Sequence, residues 1–238
     1  MKYFSLLRDT KVAGVESYSE LENELKDIPA DTVILISGFG LIICSSILEK
    51  FKVFNIHFGE LPDYKGRHPS FFATLNNEKE LGVSLHIVDE GIDTGGIISV
   101  AKEPYYYFEN EKDIFGKLLN NIPYLISDLA KHLNGDKETT PNNGGKYYPP
   151  VTVEDKLIDE NTPIRKVLNL VRSQANYNGA LIEWNDVTYG IKQVRILRKG
   201  HQFEVDYQGK LMLKGDLPFG IVIDEEWELI FEELIRIG

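Results

Sequence analysis

A single cysteine, two methionines and two tryptophans occur in 238 residues. One thiol excludes a disulfide framework and a thiolate zinc site, and Cys44, inside the apolar run Leu41-Ile42-Ile43-Cys44, reads as a buried structural thiol. Long hydrophobic runs are missing too: glycine or serine interrupts each one well short of a membrane span. Met1 to Asp9 has no sustained apolar stretch of the kind a secretory signal carries. A cytoplasmic protein with no membrane partner is therefore expected. Positive charge is the remaining scarcity. With 26 basic and 37 acidic side chains the net charge is −11, which disfavours a broad grip on a polyanion. From His201 to Gly238 three basic residues stand against nine acidic ones, so nucleic acid is not an expected partner. Neither a G-x-G-x-x-G nor a phosphate-loop motif occurs anywhere.

What is present suffices for a core, since 42% of the residues are hydrophobic. In the first half, strand-like and helix-like segments alternate, the pattern of an α/β layer architecture with a mostly parallel sheet. Ser17 is positioned to cap a helix through Lys26 with Glu20 as its capping-box partner. Thr32 to Ser37 is apolar and β-branched, as a strand covered on both faces should be. Phe51 to Phe54 is the next strand and delivers Asn55 and His57 at its carboxyl end, where open α/β sheets place their ligands. Pro69 opens a short helix to Leu75, and Gly82 to Val88 and Ile97 to Lys102 read as strands. Between those two strands Asp89 to Gly96 must be a loop. Glu111 to Leu133 reads as a long helix broken or restarted near Pro123. Asn134 to Pro150, rich in Gly, Pro, Asn and Thr, marks a linker or long loop and the expected domain boundary. The expected domains are thus residues 1–150 and 151–238, the second a small β-rich module. In it Thr162-Pro163 caps one helix, and turns fall at Asn185-Asp186, Tyr207-Gln208-Gly209 and Lys214-Gly215-Asp216.

Asn55 and His57 lie on alternate residues of a strand and so point the same way, and a glycine-rich loop from a neighbouring strand can bring Asp93 beside them. An amide, an imidazole and a carboxylate together are what acyl transfer to an amine requires: oxyanion stabilisation, proton handling and an orienting group. Each residue alone also has a structural reading, as strand-end cap, buried histidine or turn former. His86 is read as structural. The run Tyr105-Tyr106-Tyr107-Phe108 offers either a stacking surface or, as preferred, packing between helices.

Asn55-x-His57, then Leu61-Pro62-x-Tyr64-x-Gly66-x-x-Pro69, then His86 through Asp93 and Gly95, resembles the formyltransferases that use 10-formyltetrahydrofolate. The family includes glycinamide ribonucleotide transformylase, methionyl-tRNA formyltransferase and the nucleotide-sugar N-formyltransferases. The resemblance covers roughly residues 31 to 185. It continues past the linker through Lys146 to Pro150 with Asp159 and through Tyr177-Asn178-Gly179-Ala180. At the N-terminus about thirty residues precede the Thr32 strand, so the expectation is an N-terminally shortened Rossmann-like domain with its first βαβ unit reduced.

The resemblance implies Asn55, His57 and Asp93 as catalytic residues, with Asp93 as base and orienter together. It implies 10-formyltetrahydrofolate as co-substrate, held by Phe39, Leu41 and Ile42 and by Val88, Asp89, Glu90 and Ile92, with no metal. Tyr64, Lys65, Arg67 and His68 are the expected substrate contacts, Lys65 and Arg67 able to neutralise a diphosphate. The implied acceptor is a nucleotide-linked amino sugar, dTDP-4-amino-4,6-dideoxyglucose, formylated for bacterial surface polysaccharide (O-antigen); the exposed edge of a truncated sheet makes a homodimer the expected state. Hydrolysis of the same folate, formylation of another amine and an inactive folate-binding module are the alternatives.

Overall fold

A computed structural model describes residues 12–159, 161–175, 177–198, 210–214, 217–222 and 227–237. In chain order its elements begin with α1 (Tyr18–Leu25), β1 (Val33–Ser37), α2 (Ser45–Lys50), β2 (Lys52–His57), β3 (Lys65–Gly66) and α3 (Pro69–Leu75). There follow β4 (Glu80–Ile87), β5 (Ile97–Pro104), α4 (Glu111–Leu119), α5 (Ile122–Leu133), β6 (Tyr147–Tyr148) and α6 (Ile164–Ser173). The chain ends in β7 (Ala180–Trp184), β8 (Val187–Arg198), β9 (Lys210–Lys214), β10 (Leu217–Val222) and β11 (Trp227–Arg236). Two compact units result. One holds the described residues up to Pro69, Gly82–Glu103 and Lys117–Tyr148; the other holds Ser70–Leu81, Pro104–Gly116 and the described residues from Pro149 onward.

The first unit is built on a sheet of order β1-β2-β4-β5. The α/β class is as expected, and β1 runs parallel to β2, but β4 is antiparallel to β2, so the sheet is mixed. An apolar run reports burial on both faces, which β2 and β4 have, and carries no information on strand direction. Ser17 caps α1 as expected, its hydroxyl accepting from the Glu20 N–H, while the Glu20 carboxylate closes on the N–H of Glu16 and not on that of Ser17. Leu21 of α1 packs with Ile43, Ile47, Phe51 and Val53. The long helix is two helices, with Pro123 in the first turn of α5, where its missing N–H costs nothing. On the buried face of α5 the Asp128 carboxylate is 1% exposed and accepts from Lys131, Lys137 and the Ser99 hydroxyl at 2.9, 2.8 and 2.7 Å. Burial alone would raise that carboxyl; the two ammonium groups and the hydroxyl outweigh it and hold Asp128 well below the usual carboxylate range.

The segment after α5 has little regular structure but is tied down. Thr140 and Ile97 exchange both backbone bonds, at 2.8 and 3.0 Å, and β6 pairs parallel with β3.

In the second unit α6 buries Ile164, Val167 and Leu170 completely, in one cluster with Phe71 of α3 and Leu229 of β11. Its sheet has the order β7-β8-β11-β10-β9 with antiparallel neighbours. The β7–β8 turn is Asn185-Asp186, both left-handed at φ 50° and 61°, the geometry of a two-residue hairpin. The Tyr207-Gln208-Gly209 turn and Gly215-Asp216 lie outside the described residues. Thr162 does not cap α6: its hydroxyl exchanges bonds with Asp159, and Pro163 occupies the cap position. Packing was expected for the aromatic run, yet only Tyr105 is buried; Tyr107 and Phe108 are 85% and 71% exposed. Four consecutive aromatics on a turn cannot all face one core, and Arg172 fixes this turn by donating to the carbonyls of Tyr106 and Glu109.

Candidate active site

The antiparallel register of β2 and β4 sets Asn55 opposite His86 and His57 opposite Ser84. Because side chains alternate along a strand, these four share one face. The Ser84 hydroxyl donates to the Gly59 carbonyl at 2.6 Å and accepts from the Leu61 N–H at 3.0 Å, turning the chain after β2 back over the site. This brings the Tyr64 carbonyl to 2.8 Å from His57 Nε2, which must therefore carry a proton and donate. Gly59 makes the arrangement possible: a Cβ there would lie 2.5 Å from His57 Nε2. Gly59→Ala should displace the imidazole and lower kcat by about 10²-fold, the order expected for a misplaced catalytic group, with the folded state retained by circular dichroism.

Asp93 completes the cluster from the β4–β5 loop. The loop is shaped by Asp89, whose carboxylate accepts from the Gly91 N–H at 3.1 Å and the Thr94 hydroxyl at 2.6 Å. Asp93 itself is left-handed, φ 51°, a conformation that aspartate and asparagine tolerate better than most residues. One carboxylate oxygen, Oδ2, accepts from the Gly66 N–H at 2.9 Å and lies 3.6 Å from His57 Nδ1. The other, Oδ1, lies 3.3 Å from Asn55 Nδ2 and 3.4 Å from His86 Nε2. His86 Nδ1 is 2.7 Å from the Ile87 carbonyl and so carries a proton, and its Nε2 lies 3.2 Å from Asn55 Nδ2 as well as beside Asp93.

Burial depresses His57 below the usual imidazole value, more than the Asp93 charge and the Tyr64 carbonyl raise it. For Asp93, burial alone would raise the carboxyl, but the hydrogen bond from His86, charge on His57 and the Gly66 N–H leave it below the usual carboxylate range. Near neutral pH the pair is thus an ionised Asp93 facing the lone pair of a neutral His57 Nδ1. Two acceptors 3.6 Å apart repel, and one proton taken up between them converts that repulsion into an ion pair. The site therefore contains a proton acceptor and, in Asn55, an amide whose contacts at 3.2 and 3.3 Å are long enough to exchange for a stronger acceptor.

The other expected residues are distributed around this centre. Phe39 and Leu41 are half-buried, Phe39 against the cluster around Leu21, and Ile42 is 56% exposed; the Ile42 carbonyl already accepts from the Tyr18 hydroxyl at 2.8 Å. Val88 is half-buried with its N–H on the Val53 carbonyl, and Asp89, Glu90 and Ile92 are exposed. Glu90 accepts from the Ser45 hydroxyl at 2.9 Å, which joins the loop bearing Val88 to Ile92 to the segment that follows Phe39. Tyr64 stacks on Tyr148 with ring centroids 5.2 Å apart. Arg67 is exposed with its guanidinium beside Gly40, and His68 is half-buried. Lys65 was expected to reach a diphosphate, but it is 7% exposed and its ammonium donates to the carbonyls of Asn142 and Gly144 at 3.2 and 2.9 Å. Its neighbours are glycines and asparagine, whose free carbonyls draw the cation inward. Cys44 is exposed and not buried, because it sits at the start of α2; a hydrogen bond with Ser46 lowers its thiol. His86, read as structural, touches both Asn55 and Asp93. Asn142, which the sequence presents only as one residue of a Gly-, Pro- and Asn-rich loop, is buried beside Asp93 and Gly95. Among the described residues no group of three or more His, Cys, Asp or Glu is placed to hold a metal ion, and no helix is long and apolar enough to cross a membrane.

This mixed sheet, with Asn, His and Asp gathered at one end, is the formyltransferase fold. Residues 9–120 match the family described as Formyl transferase. The methionyl-tRNA formyltransferase of Caldanaerobacter subterraneus subsp. tengcongensis is 28% identical over 187 residues, 75% of this chain and 60% of that protein. The chain thus spans about 60% of the length of this curated relative. Among solved structures, a variant of HypX from Aquifex aeolicus matches with a TM-score of 0.71 at 17% identity, over 94% of this chain and 42% of that one. WlaRD, a sugar 3N-formyl transferase solved with dTDP and 5-N-formyl-THF, matches with a TM-score of 0.64 at 23% identity, over 94% of this chain and 82% of that one.

Proposed function

We propose that the protein transfers the formyl group of 10-formyltetrahydrofolate to the amino group of a nucleotide-linked amino sugar, with dTDP-4-amino-4,6-dideoxyglucose as acceptor. The observation that carries the chemistry is the convergence of Asn55, His57 and Asp93 in one set of contacts. The amine lone pair forms the new C–N bond at the formyl carbon, and the carbonyl π electrons move onto oxygen, where the Asn55 amide donates to the oxyanion. The ammonium proton passes to the Asp93–His57 pair. When the oxyanion collapses, the bond to the folate nitrogen breaks and the pair returns a proton to that nitrogen. The segments around Phe39 to Ile42 and Val88 to Ile92, joined through Ser45 and Glu90, are the walls assigned to the pterin. Arg67 is the exposed cation assigned to the nucleotide phosphates, a task that buried Lys65 does not share.

One feature supports a sugar over transfer RNA. The stretch from His201 to Gly238 carries three basic and nine acidic residues, which opposes a polyanion. The names of the curated relatives favour methionyl-tRNA as the second reading. The reading includes a homodimer, since β1 is the sheet's edge among the described residues and an uncovered edge invites pairing.

The deciding assay offers 10-formyltetrahydrofolate with dTDP-linked 4-amino and 3-amino sugars, glycinamide ribonucleotide and charged initiator transfer RNA, with His57→Asn as control. Turnover of the 4-amino sugar, lost in the variant, is expected. Preference for the 3-amino sugar would move the acceptor position, preference for the transfer RNA would replace the sugar reading, and formate release without an acceptor would make the enzyme a hydrolase.

A further inference from the structure

Asp93 is held from two sides. Its carboxylate is fixed by the Gly66 N–H, and its backbone by Asn142, whose Nδ2 donates to the Asp93 and Gly95 carbonyls, each at 2.9 Å. Asn142 is 7% exposed and its Oδ1 is buried with no hydrogen-bond partner among the described residues. The amide orientation is nevertheless fixed, because the reverse assignment would aim an oxygen at two carbonyl oxygens. A buried amide that leaves one end unsatisfied is kept for what the other end does. Lys65 closes the circuit. Its ammonium holds the Asn142 and Gly144 carbonyls, its N–H donates to Lys146, and the next residue is the Gly66 that binds the carboxylate. Gly145, at φ 71°, lets the segment pass where a Cβ would meet the Pro62 carbonyl at 1.8 Å.

We propose that Asn142, held by Lys65, is the positioning residue for Asp93: its two N–H groups lock the left-handed turn that aims the carboxylate at Gly66 and His57. No other neutral side chain of this size offers two donors on one atom. Leucine has none, and aspartate would set oxygens against both carbonyls. The titratable groups facing Asp93 are His57 on β2 and His86 on β4. Loosening the turn weakens the Gly66 contact and the approach to both rings, so the carboxyl loses what lowers it.

The readout that a merely structural role would not move is the Asp93 carboxyl titration, followed by carbon NMR in the full chain. In Asn142→Leu the midpoint should rise by about 0.5 unit or more towards the ordinary carboxylate value. Lys65→Met should shift it the same way, and serves if Asn142→Leu does not fold. Resting on the proposed transfer activity, kcat should also fall about tenfold with KM for the folate unchanged. A midpoint unmoved in the folded variants, whatever the change in Tm, would overturn the assignment. If the native enzyme transfers formyl to no acceptor, the functional reading fails while the titration still decides the clamp.

Discussion

Asp93→Asn should lower kcat for formyl transfer by about 10³-fold, within the range a positioned proton acceptor supplies, and leave KM for the folate nearly unchanged. The substitution is a clean test because asparagine has the same shape and tolerates the left-handed φ of 51° that the turn imposes. What disappears is the charge. That charge raises the His57 imidazole against the burial that lowers it, so its removal should send His57 to a still lower pKa, visible as an earlier midpoint for the ring proton in an NMR titration. The sign for the native enzyme follows from the same groups. Transfer needs a free acceptor in the pair, and both members are lowered, His57 from 6.5 and Asp93 from 3.8. The acid limb of the kcat profile should therefore lie below pH 6.5 and belong to the pair, not to one residue. A variant with native kcat would remove Asp93 from proton transfer and leave it an orienter.

How much of this was legible in the sequence depended on whether the signal was local. Pro69 to Leu75 is helical as expected because proline sets the first turn and the next strand begins a few residues on. Asn55 and His57 were legible as a pair because strand alternation is a geometric certainty. The direction of β4 was not, since burial of both faces looks alike in parallel and antiparallel strands. That direction is what places His86 opposite Asn55 and so within reach of Asp93. Lys65 differs from its expected role for a related reason. A lysine between tyrosine and glycine reads as a loop cation free to meet a diphosphate, and only the fold shows that two carbonyls from some 80 residues away wait for its ammonium. The Asn-Gly-rich segment that supplies them carries turn chemistry in its sequence and no trace of its partners. Long-range polar satisfaction of this kind leaves one residue type at one position, which a single sequence cannot distinguish from a loop residue.

Asn55 offers the sharpest separation of charge from shape. Asn55→Leu removes the donor and should cost about 10²- to 10³-fold in kcat, the usual loss for one oxyanion donor, with KM little changed. Asn55→Asp should cost more, although it preserves shape and polarity better. It sets a second carboxylate where Asn55 Nδ2 now lies 3.3 Å from Asp93 Oδ1 and 3.2 Å from His86 Nε2. Like charges at that distance do not both persist in a buried site, so one of the two carboxyls holds a proton near neutral pH. Either way the oxyanion would form beside negative charge, and the acceptor pair would already be partly occupied. The acid limb should therefore move to higher pH in Asn55→Asp and stay in place in Asn55→Leu. If both variants lose the same factor with the same pH profile, the amide serves only to fill space beside Asp93. If aspartate is the worse by tenfold or more, field and not fit is what Asn55 contributes.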